Sequence, residues 1–512
     1  MRALDIQPDP SPLQQICLSQ SDPLQLVSPD SVDPDIRNRE RINYRRALDQ
    51  RCPRESWVHD CYLAASPYPI FMNEAHNTQL QKLHAALVLA ITNILERWWT
   101  DSAANFPARM PLEPQEEDLL QWIENDAADF VKPIKECLGS WRSDFLVEEA
   151  SPSTSIENFR ICEINARFSF NGYLLLTYGQ DAILHVGEHK SEFGRAADPE
   201  RFINGLFGLF DIERPLYILK GEEHGHDVYM FSAYVKKVTG SPVIFVRPSE
   251  LRLIPCSDAP FGKRLCRVVK KDSSDDTNHG NGNIRTIHPK TFMHDGELVE
   301  EVTQVGMELH QRELRALPLE MLKHISLRCF NDMRTIFLVH DKRMLGIVLQ
   351  ELESLVHKHG ILTQEQAEIL RKGIATTLLP GSPELDHYYH QCKATPGLKD
   401  DFLLKPVRSG KGAGILFGDE LPTEAWLEKL ERSRSPALVP GQTTYVVQRH
   451  VKQPRYDILF GEQDKKQQNY LIGTYHSING HFLGIGIWRS GPGRICAVSR
   501  GGIWLVSVLS PK

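Results

Sequence analysis

The stretch that most limits what this chain can become is DFLLKPVRSGKGAGILFG, from Asp401 to Gly418. It runs from a short apolar strand through Lys405 and Pro406 into a loop holding Gly410, Gly412 and Gly414, then into a second apolar strand from Ile415 to Phe417. Such a loop is mostly backbone amide and positive charge. Its glycines leave N–H groups free to close over an anion without a Cβ in the way, and Lys405, Arg408 and Lys411 supply charge for phosphate oxygens. It is not a Walker A loop, because no Gly-Lys-Ser/Thr opens a helix, nor a dinucleotide fingerprint, because no helix follows the glycines. A strand-loop-strand cover for phosphate remains. Taken alone, the stretch is equally compatible with an ordinary Gly-rich hairpin turn whose basic residues serve solubility.

At 512 residues the chain exceeds what one hydrophobic core usually serves, so two or three domains or lobes are expected. A net charge of -7 leaves no basic excess and argues against a general nucleic-acid binder. Ten cysteines without a CxxC pair, and a start, MRALDIQPDPSP, with neither a basic region nor an apolar core, point to a reducing, cytoplasmic setting. The most apolar long run, Leu83 to Leu95, is too short for a bilayer span and is flanked by polar residues. It predicts a buried helix and no membrane partner.

In chain order, Met1 to about Arg54 is rich in Pro, Asp, Ser and Gln and predicts a loosely held arm. Helices follow around Leu80 to Ile94 and Glu116 to Phe130. Phe145 to Val147 and Phe159 to Ile164 predict a hairpin with Asp144 on one strand and Glu163 and Asn165 on the other. Residues two apart on a strand share a face, so Glu163 and Asn165 project together and the partner strand brings Asp144 beside them. That all-oxygen set suits a hard cation such as Mg2+; the alternative is a solvated edge face. Cys162 alternates with Glu163 and is expected in the core.

Strands at Leu216 to Leu219 and Pro242 to Val246, joined by a helix from about His226 to Val238, predict a small parallel α/β layer. Lys270 to Asn283 predicts a surface insertion. Beyond it, helices are expected from about Glu301 and Leu317, and a short strand or turn at Thr335 to Val339. Lys342 opens a helix, where a lysine either contacts an anion or is simply solvated. A helix from about Glu424 to Arg432 and a strand from Thr443 to Val451 come next; the backbone at Val447 to Arg449 suits an adenine edge. The chain closes in short strands with Arg489 between Gly-rich turns.

Several separated motifs share one order. RSDFLV and CEINARFSFNG, then HDKRMLG, then FLLKPVRSGKGAGILFG with YVVQRHV, and finally WRSGPGR with SRGG, resemble the ATP-grasp enzymes, in the permuted branch of eukaryotic glutathione synthetase and glutathionylspermidine synthetase. The resemblance covers about Trp141 to the C-terminus. It implies an α/β (α+β) fold of antiparallel sheets flanked by helices, with a small parallel α/β domain. The chain then divides into an arm (1–60), a helical segment with the metal-binding strands (61–205), a substrate domain (206–300) and nucleotide-binding lobes with a Gly-rich lid (301–512).

Carried over by residue, the resemblance implies that Glu163 and Asn165 hold Mg2+, with Asp144 a further ligand. Lys342 and Lys405 would contact the ATP phosphates, the loop of Ser409, Gly410, Lys411, Gly412 and Gly414 would cover them, and the Gln448 strand would meet the adenine. Arg142 and Arg489 would bind the acyl phosphate or a substrate carboxylate. Ser409 replaces the metal-binding glutamate of glutathione synthetases, Gly491 replaces a lysine, and Arg500 an acidic residue. ARFSF replaces the serine-rich run that recognises a glutamyl peptide, so glutathione is not the expected product. The implied activity is ATP-dependent carboxylate–amine ligation through an acyl phosphate, on small-molecule or peptide-like substrates, with a homodimer among the assemblies it allows. The alternatives are a nucleotide-binding scaffold without ligase activity and a kinase on the same scaffold.

Overall fold

The computed structural model describes residues 12–22, 24–149, 156–186, 193–223, 225, 227–269, 290–460 and 465–510. Six helices frame the site: α1 (Pro34–Asp49), α2 (Glu74–Glu96), α3 (Pro114–Asn125), α4 (Tyr173–Val186), α5 (Asp227–Thr239) and α6 (Arg343–His357). In α2, Leu80, Leu83, Leu87, Ile91 and Ile94 recur at helical spacing and are buried in the main core. Its N-terminus is closed by Asn73, whose side chain accepts from the His76 N–H at 3.0 Å.

The strands that carry the site are β1 (Ser140–Glu148), β2 (Asn158–Asn165), β3 (Tyr217–Lys220), β4 (Ile244–Val246), β5 (Val305–Glu308), β6 (Thr377–Leu378), β7 (Phe402–Pro406), β8 (Leu416–Phe417), β9 (Tyr445–Arg449), β10 (Lys465–Ile478), β11 (Trp488–Gly491) and β12 (Ile503–Leu505). The central sheet runs β12-β11-β10-β1-β2, antiparallel throughout. Its inner face is set by alternation: Phe145 and Phe159 pack at 4.7 Å between ring centroids, and Trp488 meets Phe145 at 5.3 Å. Gly473 on β10 lets this happen, since a Cβ there would lie 2.2 Å from the Phe145 ring. A second antiparallel sheet, β6-β9-β7-β8, holds the Gly-rich hairpin, and a three-stranded parallel sheet, β5-β3-β4, forms the small α/β layer.

Three expectations change. The segment expected as a loose arm carries α1, capped by Asp33, with Tyr44, Ala47 and Leu48 buried against α4 and the Tyr44 hydroxyl donating to the Gly179 carbonyl at 3.4 Å. That narrow apolar edge is diluted by the polar residues around it. The helix expected from Glu301 is absent; Glu301 ends a strand, β5 follows, and the helices there begin at Gln311 and Leu319. Gly306 in β5 lies where a Cβ would meet the Phe330 ring at 2.4 Å, a tertiary contact that no local pattern reports. Thr335–Val339 is one π-helical turn, and all five residues are buried, which leaves no period to read. The insertion expected at Lys270 to Asn283 lies outside the described residues. No helix among the described residues is long and apolar enough to cross a membrane.

Candidate active site

The outward face of β1 and β2 gathers the residues expected there. The strand register sets Asp144 opposite Glu163 and Arg142 opposite Asn165. The Asn165 amide nitrogen donates to Asp144 Oδ1 at 3.3 Å and to Glu163 Oε1 at 3.4 Å, so the three candidate metal ligands surround one point. Turning that amide, whose N and O positions are an assignment, offers an oxygen in place of the nitrogen. The donor set is hard oxygen and fits Mg2+ with phosphate and water as further ligands. Among the described residues no cluster of three or more His, Cys, Asp or Glu side chains could by itself hold a metal. Cys162 packs with Ala375 and Val451 in a small apolar cluster, and burial pushes its thiol up to about 11.

Basic groups converge on these carboxylates. Arg142 Nε donates to Asp144 Oδ1 at 2.9 Å and Arg489 Nη2 donates to Asp144 Oδ2. Lys342, the cap residue of α6, places Nζ 3.3 Å from Glu163 Oε2 and donates to the Ser409 carbonyl at 2.6 Å. Lys405, on β7, lies with Nζ 3.5 Å from the Cys162 carbonyl. Burial alone would raise the Glu163 pKa, yet Lys342, Lys405, Arg489 and Arg142 together hold it well below the ordinary carboxylate range. Arg489 is shifted up: burial opposes its charge, and Asp144 and Glu163 more than offset that. Four cations against two carboxylates leave a local positive excess suited to a polyphosphate.

The hairpin forms as expected, with β7 antiparallel to β8. Lys411, Gly412 and Gly414 take left-handed backbone angles, and a Cβ on Gly412 would meet Ile495 at 2.4 Å. Gly410 stands in open space. The structure redirects Arg408: its guanidinium is fixed by Asp341 at 2.9 Å and by Glu116 on α3, so it anchors the loop rather than offering free charge. Asp341 also takes Arg343 at 2.8 Å, and these charges, with Arg408 beside them, hold it low despite burial. Lys411 at the tip pairs with Glu223 beyond β3 at 3.0 Å. Gln448 on β9 is buried, donating to the Thr377 hydroxyl at 3.0 Å and the Cys162 carbonyl at 3.4 Å.

Three residues near the site escaped the sequence reading: Arg167, His340 and Glu223. Arg167 follows the candidate ligand Asn165 by two residues, the only signal that could have found it. His340 is buried, and burial together with Arg167 and Lys342 lowers its pKa well below the ordinary imidazole value.

Comparison with known proteins gives a consistent result. Residues 83–338 match the family described as the AnkG N-terminal domain. The chain is 38% identical over 446 residues to the ATP-grasp enzyme ankG of Aspergillus thermomutatus, covering 87% of this chain and 88% of that relative. In three dimensions it resembles a glutathione synthetase-like effector, GSS30, from Globodera pallida in its apo form, with a TM-score of 0.50 at 11% identity over 94% of this chain and 99% of the other. That likeness concerns the fold.

Proposed function

Because the chain belongs to the AnkG family of ATP-grasp enzymes, we propose that it is a ligase that activates a small-molecule carboxylate as an acyl phosphate and joins it to an amine. The observation that carries the reading is the convergence of Lys342, Lys405, Arg142 and Arg489 on Asp144, Glu163 and Asn165 beside a Gly-rich loop. The γ-phosphoryl group passes to a carboxylate oxygen and ADP leaves. The amine nitrogen then attacks the acyl carbon, phosphate departs with that oxygen, and the amine loses a proton.

No side-chain nucleophile is needed, only positioning and charge neutralisation. Lys405 and Lys342 take the phosphates, the loop from Ser409 to Gly414 covers them, and the strand of Gln448 lies along the adenine. Glu163, Asn165 and Asp144 would hold Mg2+, which when bound would neutralise charge on the transferring phosphoryl group. Arg142 and Arg489, oriented by Asp144, take the acyl phosphate or the reacting carboxylate. The test is ATP-dependent condensation in pools of acids and amines, read by ADP release and product mass. Amide product with ADP supports the reading; a phosphorylated product without amide supports a kinase.

A second reading has one observation in its favour. Ser409 stands where glutathione synthetases carry a metal-binding glutamate, while both Asp144 oxygens are engaged by arginine. A scaffold of that kind binds ATP tightly and releases no ADP in any pool.

A further inference from the structure

One cation beside the site makes no hydrogen bond or ion pair among the described residues. Arg167 is 7% exposed, and among the described residues nothing accepts a hydrogen bond from its guanidinium or pairs with it; its Nε is fully buried and unbonded. Its guanidinium carbon lies 4.8 Å from the centroid of the Phe168 ring, and the carboxylates of Glu223, Glu308 and Glu313 act on it through space without pairing with it. A cation–π contact replaces little of the hydration a buried guanidinium gives up. The arrangement is costly for the fold unless a ligand completes it.

The neighbours locate this cation under the Gly-rich loop. The Ala166 N–H donates to His340 Nδ1 at 3.4 Å, which ties the segment to the turn before Lys342. The Phe168 ring meets His310 at 6.0 Å, His310 Nε2 lies 3.2 Å from Glu223 Oε2, and Glu223 Oε1 takes Lys411 of the loop. Arg167 therefore stands between the end of β2, the parallel sheet and the loop tip. Two further donors there, His340 Nε2 and Arg408 Nη2, are also buried without a partner. Three donors lack an acceptor in one corner, and the forked guanidinium is built for a planar anion with two oxygens.

We propose that Arg167 anchors a substrate carboxylate other than the one that reacts, so that this protein takes a dicarboxylic acid, or an amine that is itself an amino acid. The assignment rests on the ligase reading for the word substrate, but not for the anion site. It explains why ARFSF departs from the serine-rich run expected by resemblance.

The test is thermal unfolding of the full chain with Mg2+ and a non-hydrolysable ATP analogue, titrated with glutarate or with alanine at constant ionic strength. Glutarate reports a second carboxylate on the acid, alanine a carboxylate on the amine. At least one should stabilise the wild type, and Arg167→Met should weaken that response roughly ten- to hundredfold, the scale of a lost charge-assisted hydrogen-bond pair, while the ATP-analogue shift stays intact. Without ligand, Arg167→Met should melt at or above wild type, because burial of this charge costs more than the distant carboxylates return. Arg167→Lys should recover only part of the response. The proposal is overturned if neither probe shifts the wild type, if the variant responds as wild type does, or if it melts below wild type. Loss of the ATP-analogue shift in the wild type would contradict the ligase reading instead and leave the carboxylate titration to decide Arg167.

Discussion

Two clusters of buried charge flank the Gly-rich loop and are built on opposite plans. On one side Asp341, Arg343, Arg408 and Glu116 form a closed network whose charges all face a counter-charge. On the other, Arg167 is buried and makes no hydrogen bond or ion pair among the described residues, the carboxylates of Glu223, Glu308 and Glu313 acting on it only through space. Buried ions that serve the fold arrive paired, because an uncompensated one costs several kcal/mol. An ion left open in a folded chain marks a place where the missing charge is brought from outside. The face of β1 and β2 is intermediate: Asp144 and Glu163 are matched, yet Lys405 adds charge that no carboxylate pairs directly.

The largest expected effect breaks the closed network. Asp341→Ala leaves Arg343 and half of Arg408 uncompensated and should destabilise the protein by about 3–5 kcal/mol, read by chemical denaturation. A result under about 1 kcal/mol would mean that water enters the network and screens it.

Asp227, on the parallel-sheet side, gives a pH signature. It opens α5, is buried against the start of α4 where it accepts the Leu174 and Leu175 N–H groups, and burial raises its pKa from 3.8 to about 6. Between those values the folded chain holds a proton that the unfolded chain has released. Its contribution is therefore fully present below pH 3.8 and lost as pH rises through about 6, by about 3 kcal/mol in all. Asp227→Asn keeps an acceptor for the amides and should flatten that window. An unchanged slope between pH 4 and 6 would assign it elsewhere.

Lys405→Ala tests the intermediate face. Folding should be little changed, while the stabilisation by ATP, about 2.7 kcal/mol at a hundredfold excess over the dissociation constant, should largely vanish. A full ATP shift in the variant would remove Lys405 from the phosphate site. The smallest effect belongs to the loop tip. Lys411 is 65% exposed, so its pair with Glu223 contributes at most about 1 kcal/mol. Glu223→Gln should speed proteolysis near Lys411 without ATP and leave the Mg2+-ATP-protected rate unchanged, as expected of a lid weakly held and closed by ligand.

How far the sequence could be read follows the range of the interactions. The hairpin of Asp144, Glu163 and Asn165 was legible because strand alternation is local, and its register brings the three side chains together as read. The Gly-rich hairpin and Lys342 at a helix start were legible for the same reason. The partner of Arg408 was not, since Glu116 lies 292 residues away and either residue alone resembles surface charge. The strand Val305–Glu308 and the π turn at Thr335–Val339 were hidden because both are buried on all sides and show no period. Arg167 was visible only by its place two residues after Asn165; that it makes no ion pair among the described residues is a property of the assembled core.

In the proposed function Glu163 and its neighbours form a metal-dependent nucleotide site. The most direct measurement is calorimetric titration of a non-hydrolysable ATP analogue into wild type and Glu163→Gln, with and without Mg2+, with circular dichroism to check folding. Binding to the wild type should strengthen with Mg2+, and that Mg2+-dependent part should fall by roughly tens-fold or more in the variant. Equal Mg2+ dependence in both proteins, with both folded, would contradict it.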